Sequence, residues 1–189
     1  MGEARGAVVV IGASAGGLRA LSAVLAALPA DYVRPVVVVL HVAENGGGLL
    51  PELWSGALAV RVKEAVDKEP LLPGSVYLAP PGYHLLVEED RSISLSVDPP
   101  VRFSRPSIDV LFQSAAAACG ADCIGIVLTG ANEDGSAGLR SIREEGGTAI
   151  VQDPRTAEYK RMPQSALEAA GADFVLAPEK IGDWLRRNS

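Results

Sequence analysis

The segment that most constrains this chain is Val8-Val9-Val10-Ile11-Gly12-Ala13-Ser14-Ala15-Gly16-Gly17. A β-branched apolar run stops at a glycine. A helical pattern then begins, with Leu18, Leu21, Leu25 and Leu28 spaced to share one face. This predicts a buried strand over Val8 to Ile11 and a helix over Ala15 to Leu28, stopped by Pro29. Between them, Gly12-Ala13-Ser14-Ala15-Gly16 fits G-x-S-x-G, the sharp elbow that holds a serine Oγ clear of a sheet. A helix start just beyond Ser14 offers N–H groups and a positive dipole end to a developing oxyanion. A phosphate-cradling loop is the competing reading. The dinucleotide pattern would need glycine at Ser14, and the P-loop pattern a lysine that Gly16-Gly17-Leu18 lacks. The stretch alone leaves nucleophile and phosphate loop both open.

The rest of the chain repeats the strand–helix rhythm. Val36 to Leu40 reads as a second buried strand ending at His41, followed by a Gly46-Gly47-Gly48 loop. Leu49 to Leu58 reads as a short helix with Leu50, Leu53, Trp54 and Leu58 on one side. Leu71 to Val97 departs from the pattern. Val76 to Ala79, His84 to Glu88 and Ile93 to Val97 read as an antiparallel ribbon with tight turns at Pro80-Pro81-Gly82 and Glu89-Asp90-Arg91. A helix capped by Ser107 then runs to Cys119. The strand Ile124 to Leu128 leads through Thr129 to Gly135 into a helix ending at Glu145. Strands at Thr148 to Val151 and Phe174 to Leu176 follow, with helices at Pro163 to Ala170 and Pro178 to Arg187. The expected fold is α/β in one domain over 1–189: a doubly wound, mostly parallel sheet with helices on both faces and an antiparallel β ribbon in mid-chain.

In such folds, functional groups gather at the carboxyl ends of the strands. Ser14, His41 and Asp134 each follow a predicted strand in that position. Serine needs a base in reach, and the base needs an orienting carboxylate. His41, at a strand end, is favoured over His84, which sits in the ribbon and reads as loop-ordering. Asp134 is the carboxylate, with capping of the helix after Gly135 as its structural alternative. Asp153 is the second candidate acid. Ser…His…Asp is not the chain order of α/β-hydrolases, and no histidine follows Asp134.

Composition narrows the function classes. A net charge of −6 argues against a general nucleic-acid surface or binding to anionic membrane. No apolar run is long enough to span a bilayer, and the first residues do not form a signal peptide. Only Cys119 and Cys123 are present, so a disulfide framework is not expected and a reducing cytoplasm is. With His41 and His84 the only imidazoles, the cysteine pair reads as buried thiols and not as a metal site.

With these residues in place, the chain resembles the catalytic domain of the chemotaxis protein-glutamate methylesterases, the CheB family. The likeness runs through Ile11 to Gly17, the strand ending at His41, Tyr77-Leu78-Ala79-Pro80-Pro81-Gly82-Tyr83-His84-Leu85 and Arg105-Pro106-Ser107-Ile108-Asp109-Val110-Leu111-Phe112. It continues in Leu128-Thr129-Gly130, Asp134 to Leu139, Gln152-Asp153-Pro154 and Met162-Pro163. Each motif is weak alone; their joint order is specific.

The resemblance implies Ser14 as nucleophile, His41 as base and then acid, Asp134 as its orienting group, and backbone N–H groups of Ala15 and Ala131 at the oxyanion. It implies methyl-esterified glutamates on the cytoplasmic helices of methyl-accepting chemoreceptors as substrate, deamidation of receptor glutamines as a further activity, and no metal or organic cofactor. A separate response regulator or other chemosensory protein is an implied partner. The family's usual receiver domain does not precede the first strand, so activity without phosphorylation in cis is expected. Ala131 and Asn132 depart from the usual Met and Gly, Ala15 stands where threonine is common, and Val42 to Gly48 lacks the usual proline. The altered loop at Ala131-Asn132 motivates the alternative of a catalytically weak or inactive CheB-like scaffold or binding module in a chemosensory array, and Gly12 to Gly17 leaves a nucleotide- or phosphate-binding domain as a third reading.

Overall fold

In a computed structural model, residues 6–41, 50–54 and 56–189 are described. The Gly46–Gly48 loop and the segment following His41 lie outside them.

The elements are β1 (Val8–Ala13), α1 (Gly17–Leu25), β2 (Val36–Leu40), α2 (Leu50–Trp54), β3 (Arg61–Glu64), β4 (Ser75–Leu78), β5 (His84–Val87) and β6 (Ile93–Ser96). They continue as α3 (Ile108–Cys119), β7 (Cys123–Val127), α4 (Ser136–Glu144), β8 (Thr148–Gln152), α5 (Arg161–Ala170), β9 (Phe174–Leu176) and α6 (Pro178–Arg187). Seven parallel strands form one sheet in the order β3-β4-β2-β1-β7-β8-β9, and β5 and β6 pair antiparallel in a separate ribbon.

Alternation along the central strands divides the core. Val8 and Val10 face one apolar layer with Ile108, Leu111, Phe112, Leu139 and Met162 from α3, α4 and α5. Val9, Ile11 and Ala13 face the other, with Leu21, Val24 and Leu25 of α1 and Ile181 and Leu185 of α6. Burial on both faces explains why β1, β2 and β7 read as unbroken apolar runs.

Three expectations are corrected. The strand near Val76 is not part of the ribbon: β4 pairs in parallel with β2 and β3 in the main sheet, leaving only β5 and β6 antiparallel. The first helix begins at Gly17, and Leu18 is 40% exposed although Leu21, Leu25 and Leu28 are buried. In α2, Leu50 and Trp54 point inward while Leu53 is exposed. Short helices tolerate such exposed apolar side chains singly.

The chain leaves β1 toward β2 on one side and returns to β7 on the other. The β1/β7 boundary is therefore the topological switch point, where doubly wound sheets open a crevice beyond their carboxyl ends.

Candidate active site

The turn after β1 is set by packing and by one backbone angle. A Cβ on Gly12 would lie 2.2 Å from Ile108 Cγ2, so β1 approaches the start of α3 only because this residue has none. Gly16 closes the turn at φ +73°, a conformation that glycine adopts without a Cβ clash. Ser14, half-buried, sits between them, its N–H donating to Thr129 O at 3.0 Å and its carbonyl accepting Gly17 N at 2.7 Å.

Register brings His41 to Ser14. β1 pairs Ala13 with Leu40, so the next residue on each strand is Ser14 and His41, with the strands about 5 Å apart. His41 N donates to Ala13 O at 2.9 Å, fixing that end. The His41 Nε2 atom lies 3.1 Å from Asp134 Oδ2, with His41 side-chain exposure of 15% and Asp134 of 1%. The two are in contact distance without a well-aligned N–H···O bond.

Asp134 does not cap the helix that follows it. It caps α3 instead, 25 residues and more away in sequence. Its Oδ1 accepts Ser107 Oγ at 2.9 Å and Asp109 N at 2.9 Å, and its Oδ2 accepts Ile108 N at 2.7 Å. Ser107 is thus not the side-chain cap of α3 that its position suggests; its hydroxyl serves Asp134. Asp109, in the first turn of α3, returns the arrangement: its Oδ1 accepts Gly135 N at 3.0 Å and Gly138 N at 2.8 Å at the start of α4. Each helix is capped by a carboxylate belonging to the other's N-terminal region, so α3 and α4 fix the position of Asp134 between them.

The two buried carboxylates are driven apart in acidity. Burial alone would raise Asp134, but His41 and the amides of Asp109 and Ile108 outweigh it and hold the carboxyl below its ordinary value. Burial raises Asp109; the Gly138 amide opposes this and the charge of Asp134 reinforces it.

Thr129 ties the remaining loops together. Its N–H donates to Gln152 Oε1 at 2.8 Å, and its Oγ1 accepts Tyr159 N at 2.9 Å and lies 3.0 Å from Ala15 O. Ala131 is exposed in the loop after it. Asn132 Oδ1 accepts Asp134 N at 3.1 Å, an Asx turn. Neither Ala131 nor Asn132 needs a positive φ, so the absence of glycine there leaves this loop unstrained.

The other candidates lie apart. His84, fully buried, accepts Ser107 N through Nδ1 at 3.2 Å and contacts Pro99 O through Nε2 at 3.1 Å, the loop-ordering role expected of it. Asp153 pairs within its own turn with Arg155, at 2.7 Å. Cys119 and Cys123 are buried free thiols, and burial raises both. Among the described residues no cluster of His, Cys, Asp and Glu could hold a metal ion, and no helix is long and apolar enough to cross a membrane.

A cleft of about 340 Å³ opens beside His41, walled by Leu40, Ala79, Pro81, Phe103, Arg105 and their neighbours. Its outer wall is a two-residue turn, in which Val101 and Ser104 exchange backbone hydrogen bonds at 3.1 and 2.9 Å. The central residues Arg102 and Phe103 have φ +48° and +64°. This left-handed pair normally falls to Asn-Gly, and each bulky residue in it costs about 1 kcal/mol.

The comparisons place the chain. The CheB methylesterase family model matches residues 9–185. The chain belongs to the CheB methylesterase family. A Leptospira interrogans protein, provisionally named protein-glutamate methylesterase/protein-glutamine glutaminase, is 47% identical over 179 residues, covering 95% of this chain and 93% of that one. The Maricaulis maris protein-glutamate methylesterase/protein-glutamine glutaminase is 39% identical, covering 98% of this chain and 47% of its own length. The crystal structure of the Thermotoga maritima CheB methylesterase catalytic domain superposes with a TM-score of 0.93 at 33% identity, over 98% of this chain and all of that one. The parallel sheet with its separate two-stranded ribbon is thus the CheB catalytic fold.

Sequence reasoning gives Asp109, Thr129 and Gln152 no part in the site, and Ser107 only a capping role. An acid in the first turn of an otherwise apolar helix was the available signal for Asp109, since a buried carboxylate needs partners.

Proposed function

We propose that this protein is a protein-glutamate methylesterase, acting on methyl-esterified glutamates of the cytoplasmic helices of chemoreceptors, with Ser14, His41 and Asp134 as its triad. The observation that carries this reading is the 3.1 Å contact of His41 Nε2 with the buried Asp134, on the strand neighbouring Ser14. With Nε2 directed at the carboxylate, Nδ1 is the nitrogen that takes the Ser14 proton. Asp134, held ionised, stabilises the imidazolium that forms.

Ser14 Oγ attacks the ester carbonyl carbon as His41 takes the proton. Backbone N–H groups of Ala15 and Ala131 meet the oxyanion, where removing one donor typically costs about 10²–10³ in rate. Collapse of the tetrahedral intermediate expels methoxide, which leaves as methanol with the proton from His41. His41 then deprotonates water, which attacks the acyl-enzyme and restores the glutamate and Ser14. The same attack on a primary amide expels ammonia, giving glutamine deamidation. The names of the relatives support both activities.

A fluorophosphonate probe tests the nucleophile. Stoichiometric labelling on the peptide containing Ser14, greatly slowed in His41→Ala, is expected. Labelling of another residue, or labelling unaffected by His41→Ala, contradicts the assignment.

A further inference from the structure

We propose that Phe103 and the arginines around it form the docking surface for an acidic helical segment of the protein substrate. The inference rests on the methylesterase reading above and extends it to how the substrate is recognised.

Phe103 is 105% exposed, beyond the exposure of an extended reference chain, although it stands at the wall of the His41 cleft. Solvent gives no reason to hold a phenyl ring there, and the strained left-handed backbone at Arg102 and Phe103 gives a reason against it. Strain retained beside a reactive group marks a feature that function keeps. Two further exposed apolar residues accompany it. Tyr83 follows the Pro81–Gly82 wall of the same cleft, and Val97 lies under Arg105, which donates to its carbonyl at 2.8 Å.

The charge around this knob is opposite to that of the molecule. The chain carries −6 overall, yet Arg102 and Arg105 flank Phe103. A second groove is lined by Arg102, Arg140 and Arg161 against Glu133 and Glu168, three cations to two acids. Arg102 and Arg161 share Glu133, and Arg102 also lies 3.7 Å from the buried Asp109; both guanidinium groups stay about half exposed or more toward the groove. An apolar knob ringed by part-satisfied arginines fits a helix with apolar residues on one face and acidic residues beside it. A small ester would need neither.

The test compares Phe103→Ala and Phe103→Gly with wild type on two substrates: a methylated chemoreceptor cytoplasmic fragment and p-nitrophenyl acetate. Both variants change an exposed side chain, and glycine suits φ +64°, so folding is checked by a melting temperature that does not fall below that of the wild type. The ratio of kcat/KM for the receptor fragment to that for the small ester is expected to fall about tenfold or more, through KM. Added salt should raise the wild-type KM for the fragment. A ratio within twofold of wild type in both variants overturns the docking surface alone. Wild type that cleaves the small ester but not the methylated fragment overturns the protein-methylesterase reading, and the docking inference falls with it.

Discussion

Asp134→Ala should lower stability as well as activity, because Asp134 is a cap on α3 in addition to a partner of His41. It accepts two buried backbone amides, Ile108 N and Asp109 N, and the Ser107 hydroxyl. Alanine accepts none of them, and the site they point into is buried, with Asp134 only 1% exposed. Each orphaned buried amide costs about 1–3 kcal/mol. Relief of the repulsion between Asp134 and Asp109 offsets part of this. The net loss should be about 2–4 kcal/mol, a substantial share of the 5–15 kcal/mol typical of a domain. With a urea m-value of about 2 kcal/mol/M, the midpoint should fall by about 1–2 M. Urea unfolding followed by circular dichroism reads this directly. An aspartate that merely orients a histidine would abolish turnover and leave the midpoint in place. A shift under about 0.25 M, or about 0.5 kcal/mol, would refute the capping role. Combining it with Asp109→Ala should give a non-additive loss, since the two carboxylates cap the same pair of helices.

Three further expectations rest on the same geometry. Gly12→Ala places a Cβ 2.2 Å from Ile108 Cγ2 and should cost about 1–3 kcal/mol by overpacking, read as a lowered urea midpoint, with activity reduced through displacement of α3. Asp134 also sets a pH dependence. Its folded acidity is stronger than the ordinary value of 3.8, so its ionisation contributes stability that is present above that value and lost as pH falls through the lower folded value. The stability gap between wild type and Asp134→Asn should therefore be widest near neutrality and narrow below pH 3.8. Asp109, raised by burial, acts in the opposite sense: its ionisation costs stability as pH rises, so Asp109→Asn, which keeps an acceptor for Gly135 and Gly138, should flatten that cost.

Much of this fold could be read from residue order. β2, β9 and α6 fall where periodicity puts them, because each is bounded by an unambiguous breaker or polarity change. β3 was illegible: Arg61-Val62-Lys63-Glu64 is an edge strand, largely polar, with no apolar run to announce it. β4 was misassigned to the ribbon because Pro80-Pro81-Gly82 imitates a hairpin turn, while its parallel partner β2 is far away in sequence. For the site, strand ends singled out Ser14, His41 and Asp134, and the structure brings His41 and Asp134 into contact. The crossed capping of α3 and α4 could not be seen, since it joins residues 25 to 29 positions apart. Capping rules scan only neighbours, so the capping alternative for Asp134 points to the wrong helix, and Ser107 is given a bond it does not make.

The most direct test of the account is methanol release from a methylated chemoreceptor cytoplasmic fragment, measured with wild type and Ser14→Ala side by side, both shown to be folded. Release by the wild type that falls to background in Ser14→Ala is the expected result. Equal release by the two proteins, or none by the wild type, would contradict a Ser14-dependent methylesterase.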